Sequence, residues 1–269
     1  MSRANPFNAV LFASLIAATG IAAALRTRSF RLPEHLSLVD GSLAKAFEAH
    51  YEERFPAKQL GVNLWAALDY TLFREGRAGV VVGQQGWLYT DEEFNVDENS
   101  AARVRNNLAQ IGRVRAALAN DGIALVAAVV PAKARIYAEF VAERRPANVH
   151  ASLYDVALAG LAAEHIPAVD LRGPLAAGKA HRQTYFRTDT HWTPWGAQLA
   201  ATEIGSAVRA ASLAPASTSR YVTRIERSAA HRGDLCNFLP LDPYFTALLP
   251  PRETLEVMRT EAVPAAGAR

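Results

Sequence analysis

The chain has 269 residues, 50% of them apolar, 20% charged and 9% aromatic, a balance that excludes a disordered chain, a collagen-like fibre and a multispan membrane protein. Its 29 basic and 26 acidic residues leave a formal net charge of +3, and they are interspersed with no run of five like charges, so no nucleic-acid partner is expected. The single cysteine, Cys236, excludes an internal disulfide framework and a multi-cysteine zinc site.

Pro6 to Leu25 contains no charged residue, and as a helix this stretch extends about 30 Å, the thickness of a bilayer's hydrocarbon core. Arg3 precedes it and Arg26 and Arg28 come after it, so the flanking charges do not set an orientation. Residues 1–28 are read as a membrane anchor in preference to a cleaved signal peptide, for which Ala22-Ala23-Ala24 supplies the small residues. Either reading exports the remaining chain, a linker over 29–42 and one domain over 43–269.

Leu43 to Phe73 is helical in pattern, interrupted at Pro56, with aromatics and leucines recurring at helical spacing, and its aromatics are expected in the core. Ser42, after Asp40-Gly41, reads as a helix cap. The period then changes: Val80-Val81-Val82 turns through Gly83-Gln84-Gln85-Gly86 into Trp87-Leu88-Tyr89, the pattern of a hairpin. Val104, Leu108, Ile111, Val114 and Leu118 stripe a helix over 101–119 that stops at Asp121-Gly122. Ile123 to Val130 is an unbroken apolar run, expected as a parallel strand covered on both faces. A second helix (152–165), a shorter strand (166–170) and a third helix from Pro194 to about Ala211 repeat the cycle. Alternating helices and buried strands predict a layered α/β fold with a mainly parallel sheet.

The segment richest in chemistry is Thr188-Asp189-Thr190-His191-Trp192-Thr193-Pro194. Thr193 and Pro194 start a helix as N-cap and first helical residue. In an extended segment residues two apart share a side, so Asp189 and His191 are expected to be neighbours. The carboxylate would fix the imidazole, whose other nitrogen takes a proton from a hydroxyl; ordinary loop hydrogen bonds are the competing role. A metal site needs further ligands, and the other six histidines show no close spacing to one another, so neither metal nor cofactor is expected. Lys133 and Arg135 come just after the end of the Ile123–Val130 strand, where open α/β sheets place binding crevices, and are candidates for substrate contact. Trp192 and Trp195 offer faces for sugar stacking, with packing of the helix start as the alternative.

The segment 188–194 with Gly196-Ala197 resembles the D-x-H-W block of the AlgJ/AlgX-like alginate O-acetyltransferase family, whose domain resembles SGNH hydrolases. Further blocks agree, in the family's order: Tyr51 to Pro56, Gly83 to Tyr89, Val130-Pro131-Ala132-Lys133-Ala134-Arg135-Ile136-Tyr137, and Arg232-Gly233-Asp234-Leu235. The resemblance implies an SGNH hydrolase-like three-layer domain behind a single transmembrane helix, tethered to the inner membrane and facing the periplasm. Asp189 would orient His191, and His191 would act as general base on a serine that carries acetyl to an exopolysaccharide such as alginate. The partners it implies are the polymer and a membrane-bound O-acyltransferase as acetyl donor.

One part of that pattern is missing. The family's nucleophilic serine stands in a G-D-S-type turn after the G-D-L block, and no such turn comes after Asp234 here. Ser206 falls inside a predicted helix, and Cys236, the one conceivable thiol nucleophile, sits in an apolar context that suits packing. The expectation is a C-terminally incomplete domain or a non-catalytic relative, with no acetyl turnover by the chain alone. The rival functions are a binding or scaffold subunit of an exopolysaccharide assembly and a periplasmic acetyl esterase.

Overall fold

The computed structural model describes residues 6–31, 37, 39–95, 99–141, 151–211 and 220–263. The chain divides into two compact units, one made of residues 1–68 with 241–247, the other of residues 69–240 with 248–269.

The first unit is helical: α1 (Pro6–Thr27), α2 (Ser42–Arg54) and α3 (Lys58–Leu68). Residues 7–27 form a helix long and apolar enough to cross a membrane, with a mean hydropathy of 1.9 over its most apolar stretch and almost no burial inside the protein. Helix α2 starts differently from expectation. Gly41 is the N-cap in the left-handed region (φ 77°), and it is the Asp40 carboxylate that accepts the Ser42 N–H at 2.9 Å. The aromatics expected in the core between residues 43 and 73 are mostly outside it: Trp65 is 66% exposed, and Phe47, Tyr51 and Phe73 are exposed as well. The helices form where the spacing places them, but a period marks a face without saying what covers it.

The second unit carries the sheets. The expected hairpin forms from β1 (Val80–Val82) and β2 (Leu88–Thr90), antiparallel with Val82 opposite Leu88. Gln85 and Gly86 both have positive φ (53° and 77°), and the Trp87 N–H donates to the Gln84 carbonyl at 3.0 Å. That is a type I′ turn, whose twist matches the strands it joins.

Helix α4 (Ser100–Asn120) ends as expected, with Gly122 at φ 70°, but Ile111 and Val114 of its apolar stripe are exposed. Strand β3 is only Ala127–Val129 and pairs in parallel with β4 (Ala168–Asp170). Among the described residues this pair is the extent of the parallel sheet. Ile123 and Val130 are exposed, as is Ala128, so the strand is not covered on both faces. Short helices α5 (Lys133–Ile136) and α7 (Arg172–Gly178) pack together. Helix α6 (Ala151–Ala163) packs against both strands of the parallel pair, and α8 (Pro194–Ala210) packs against β4. A long antiparallel ribbon, β5 (Arg220–His231) with β6 (Glu253–Val263), completes the unit.

The core of this unit is aromatic. Trp87 stacks on Phe140 (centroids 5.1 Å apart, planes 6° apart) and on Tyr137 (4.2 Å), within a buried cluster that includes Val81, Leu171, Leu175 and Tyr185. The buried hydroxyls are satisfied, as the cost of desolvating a polar group demands. Tyr89 donates to the Tyr137 carbonyl at 2.8 Å, Tyr185 donates to the Pro131 carbonyl at 2.6 Å, and Tyr137 accepts the Thr184 N–H at 2.8 Å.

Candidate active site

The chain reverses between Tyr185 and Trp192, which face each other in an antiparallel bridge. The Phe186 N–H donates to the His191 carbonyl at 3.2 Å, and the Thr193 N–H to the Thr184 carbonyl at 3.0 Å. Thr193 then caps α8, its hydroxyl accepting the Gly196 N–H at 3.2 Å while donating to the Gln183 carbonyl at 2.6 Å. The segment 187–191 is thus a tight loop anchored at both ends.

Asp189 and His191 meet at its tip. The His191 Nδ1 lies 2.6 Å from Asp189 Oδ1, and the same oxygen accepts the His191 backbone N–H at 3.0 Å. The neighbours are therefore joined by an Asx-type turn, in which a carboxylate bonds the backbone two residues on, and not by the strand alternation that the spacing suggested. The carboxylate's other oxygen, Oδ2, accepts the Asp234 N–H at 3.1 Å and faces His231 Nε2 at 2.9 Å. Burial pushes the Asp189 carboxyl upward, but the donors from His191, Asp234 and His231 outweigh it and hold the group below its usual range.

Asp189 is 5% exposed, whereas the His191 side chain is 76% exposed. An ionised carboxylate only accepts, so His191 Nδ1 carries the proton of this contact and its Nε2 takes no part in it. The ring lines a crevice of about 390 Å³ whose wall includes Glu93, Pro131, Lys133, Tyr185, Thr190 and Trp192. The crevice opens just beyond β3, at the carboxyl end of a parallel strand.

Three blocks of sequence hold the loop from outside. Lys133 is 2% exposed, and its ammonium donates to the carbonyls of Phe186 (3.2 Å), Arg187 (3.3 Å) and Asp189 (2.7 Å). It also lies over the Tyr89 ring, 5.2 Å from its centroid. The lysine expected at substrate thus lines the crevice while its ammonium holds the backbone of the loop. Burial pushes its pKa down to about 8. Arg135 is half-buried with its guanidinium over the Tyr154 ring at 5.0 Å, and it does not line the crevice. Trp192 does line it, packed on its inner side against the aromatic core.

The Gly-Asp-Leu block supplies the second hold. Asp234 accepts from the Thr190 N–H (2.9 Å) and hydroxyl (2.5 Å). Gly233 lies so close to the loop that a Cβ there would meet the Thr188 carbonyl oxygen at 2.0 Å. The third hold is Glu253, buried, which accepts the N–H groups of Arg187 (2.8 Å) and Thr188 (3.0 Å) and the Thr188 hydroxyl (3.0 Å).

Sequence reasoning missed His231, Glu253 and Glu93. Glu93 accepts the Ala134 N–H at 2.6 Å beside Lys133, and burial raises its pKa. None of the three stands in a short motif with Asp189, so no spacing signal pointed to them. Cys236 is buried and its thiol is pushed upward by desolvation, which suits packing. Ser206 lies in α8, its hydroxyl bonded to the Thr202 carbonyl at 2.9 Å. No serine among the described residues lines the crevice.

Residues 80–269 match the family model of the SGNH hydrolase-like domain of acetyltransferase AlgX. The chain is 48% identical over 228 residues to the probable alginate O-acetylase AlgJ of Pseudomonas aeruginosa, covering 85% of this chain and 58% of that protein. It is 45% identical over 244 residues to that of Azotobacter vinelandii, covering 91% and 63%. It therefore spans about three fifths of the length of these curated relatives. Among solved structures, the O-acetyltransferase domain of Pseudomonas putida AlgJ superposes with a TM-score of 0.65 at 42% identity, over 70% of this chain and 66% of that one. Pseudomonas aeruginosa AlgX shares the fold, with a TM-score of 0.52 at 18% identity over 79% of this chain and 48% of that one. With the matched model covering most of its length, the chain belongs to the family of SGNH hydrolase-like domains represented by acetyltransferase AlgX.

Proposed function

We propose that this protein takes part in O-acetylation of an exported exopolysaccharide of the alginate type, with Asp189 as the orienting acid and His191 as the general base. The single observation that carries the reading is the 2.6 Å contact between Asp189 and His191 Nδ1, which leaves Nε2 of an exposed ring beside a crevice. In this scheme Nε2 takes the proton of a nucleophilic serine hydroxyl, which no described residue supplies at the crevice, as that oxygen attacks an acetyl carbonyl, and Asp189 stabilises the imidazolium that forms. Returning that proton releases the donor's leaving group. A sugar hydroxyl then takes the acetyl group by the same steps.

The partners in this reading are the polymer and a membrane-bound O-acyltransferase that supplies acetyl groups. The apolar helix α1 anchors the chain in the inner membrane, with residues 43–269 forming the periplasmic domain; a cleaved signal peptide is the alternative for the same segment. One observation favours a second role, as a binding or scaffold subunit: the absence of any serine from the crevice among the described residues.

The test separates the two roles in the cells that make the protein. The chromosomal copy is replaced by D189A or H191A, protein levels are matched by immunoblot, and the acetyl content of the secreted polymer is measured. The catalytic reading expects either variant to lose acetylation as completely as a deletion does. Wild-type acetylation in both variants, with loss only on deletion, would leave the scaffold role and remove the catalytic one.

A further inference from the structure

The carboxylate of Asp189 serves two imidazoles. His191 occupies Oδ1, and His231 approaches Oδ2 with Nε2 at 2.9 Å. His231 is the last residue of β5 and lies directly opposite Glu253, the first residue of β6. Glu253 takes the N–H groups of Arg187 and Thr188. The cross-strand pair at the foot of the ribbon therefore grips three consecutive residues of the loop, 187 to 189, from one side.

We propose that His231 is a positioning residue for the Asp189–His191 pair, which rests on the acyl-transfer reading for its functional consequence but not for its geometry. Because the carboxylate only accepts, His231 must present Nε2 with its proton, and its Nδ1 takes no part in the contact. The ring packs at a tilt against that of Phe186, with centroids 4.8 Å and planes 48° apart, and its side chain is only 24% exposed. A donor fixed by packing holds Oδ2 in place, so Oδ1 stays on His191 Nδ1 when His191 gains a proton and its ring becomes a cation. The Asp234 N–H also reaches Oδ2, at 3.1 Å, but it comes from the backbone of the neighbouring block. His231 is the side chain that ties the carboxylate to the ribbon. It acts through Asp189 and does not line the crevice.

The experiment compares H231L, which keeps apolar bulk against Phe186 and removes the donor, with H231Q, whose amide N–H restores one. The full chain is labelled with 15N-histidine in detergent micelles, and the His191 Nδ1–H proton is assigned by its loss in H191A. With the fold intact by circular dichroism, H231L should broaden that resonance away or shift it, because a carboxylate relieved of one donor bonds the other differently. H231Q should restore it. The same variants in cells should lower polymer acetylation about tenfold for H231L, as expected when a reacting group is misplaced by a fraction of an ångström, and leave H231Q near wild type. A resonance unchanged in folded H231L, or a loss that H231Q does not rescue, overturns the proposal. Were D189A and H191A to leave acetylation intact while H231L still moved the resonance, the acyl-transfer reading would fail and the positioning of the pair by His231 would stand.

Discussion

Replacing Gly233 by alanine tests how tightly the two most informative sequence blocks are joined. Gly233 has φ −64°, a value that any residue adopts, so the backbone itself does not require glycine and a change to alanine in open space would stabilise by about 0.4–1 kcal/mol through the unfolded chain. The obstacle is contact. A Cβ at 233 would sit 2.0 Å from the Thr188 carbonyl oxygen, 2.1 Å from its carbon and 2.5 Å from the Asp189 nitrogen. All three are backbone atoms, so no side-chain rotation relieves the overlap. Reaching an ordinary contact of 3.4 Å from 2.0 Å needs about 1.4 Å of displacement, and the loop that must move carries Asp189 while held by Lys133, Asp234 and Glu253. Forcing strain into such a packed site costs about 1–3 kcal/mol or more, and a displacement of 1 Å at reacting groups costs about a hundredfold in rate. Urea unfolding of G233A should show a lower midpoint at unchanged slope, and, on the proposed acyl-transfer role, cells carrying it should secrete poorly acetylated polymer. G173A, where nothing lies within 4 Å of the added atom, is the matched control and should be neutral or slightly stabilising. A G233A protein as stable as wild type would refute the claim that the blocks are locked by direct backbone contact.

Two further outcomes are expected from the groups that hold the loop. K133M leaves two buried carbonyls and one part-buried one without their shared donor, and it should destabilise by about 3 kcal/mol in denaturant unfolding, the usual penalty for removing one partner of a buried charged contact; a change below about 0.5 kcal/mol would show the ammonium to be dispensable. Because Asp189 is held below its ordinary carboxyl range in the fold, its contribution to stability is complete above the unfolded value of 3.8 and is lost as pH falls through the lower folded value. D189N should accordingly be less stable than wild type at neutral pH, with the gap closing below about pH 4 in acid-unfolding curves; a gap independent of pH would contradict this.

What could be read from the residues was local. Gln85-Gly86 forces a hairpin reversal and Thr193-Pro194 starts a helix through chemistry confined to a few adjacent positions, and both formed where expected. The identity of the Asp–His pair was legible too, though its cause was not: alternation along a strand was the argument, and an Asx-type turn is the fact. Lys133 was legible as a charged residue after a strand, yet a charge at a strand end looks the same in sequence whether it faces solvent or the backbone of a loop more than fifty residues away. Glu253 and His231 carry no signal at all, since their partnership with residues 187–189 depends on the register of β5 against β6, including an irregularity between Ile225 and Arg227. The aromatics of residues 43–73 failed for a related reason. Amphipathic spacing fixes which side of a helix is apolar, whereas burial depends on a partner that spacing does not encode.

The two members of the pair are held in different ways. The carboxylate is buried and carries four donors, so the cost of desolvation falls on the group that never touches a reactant. The imidazole that would do so in the proposed reaction is mostly exposed. An exposed base has little wall to orient it, and a ring free to rotate would lose its alignment with the reacting hydroxyl. Orientation must then come from behind. Lys133, Asp234, Glu253 and His231, drawn from both sides of the loop in sequence and fixed to the ribbon and the aromatic core, supply that rigidity without closing the crevice above the ring.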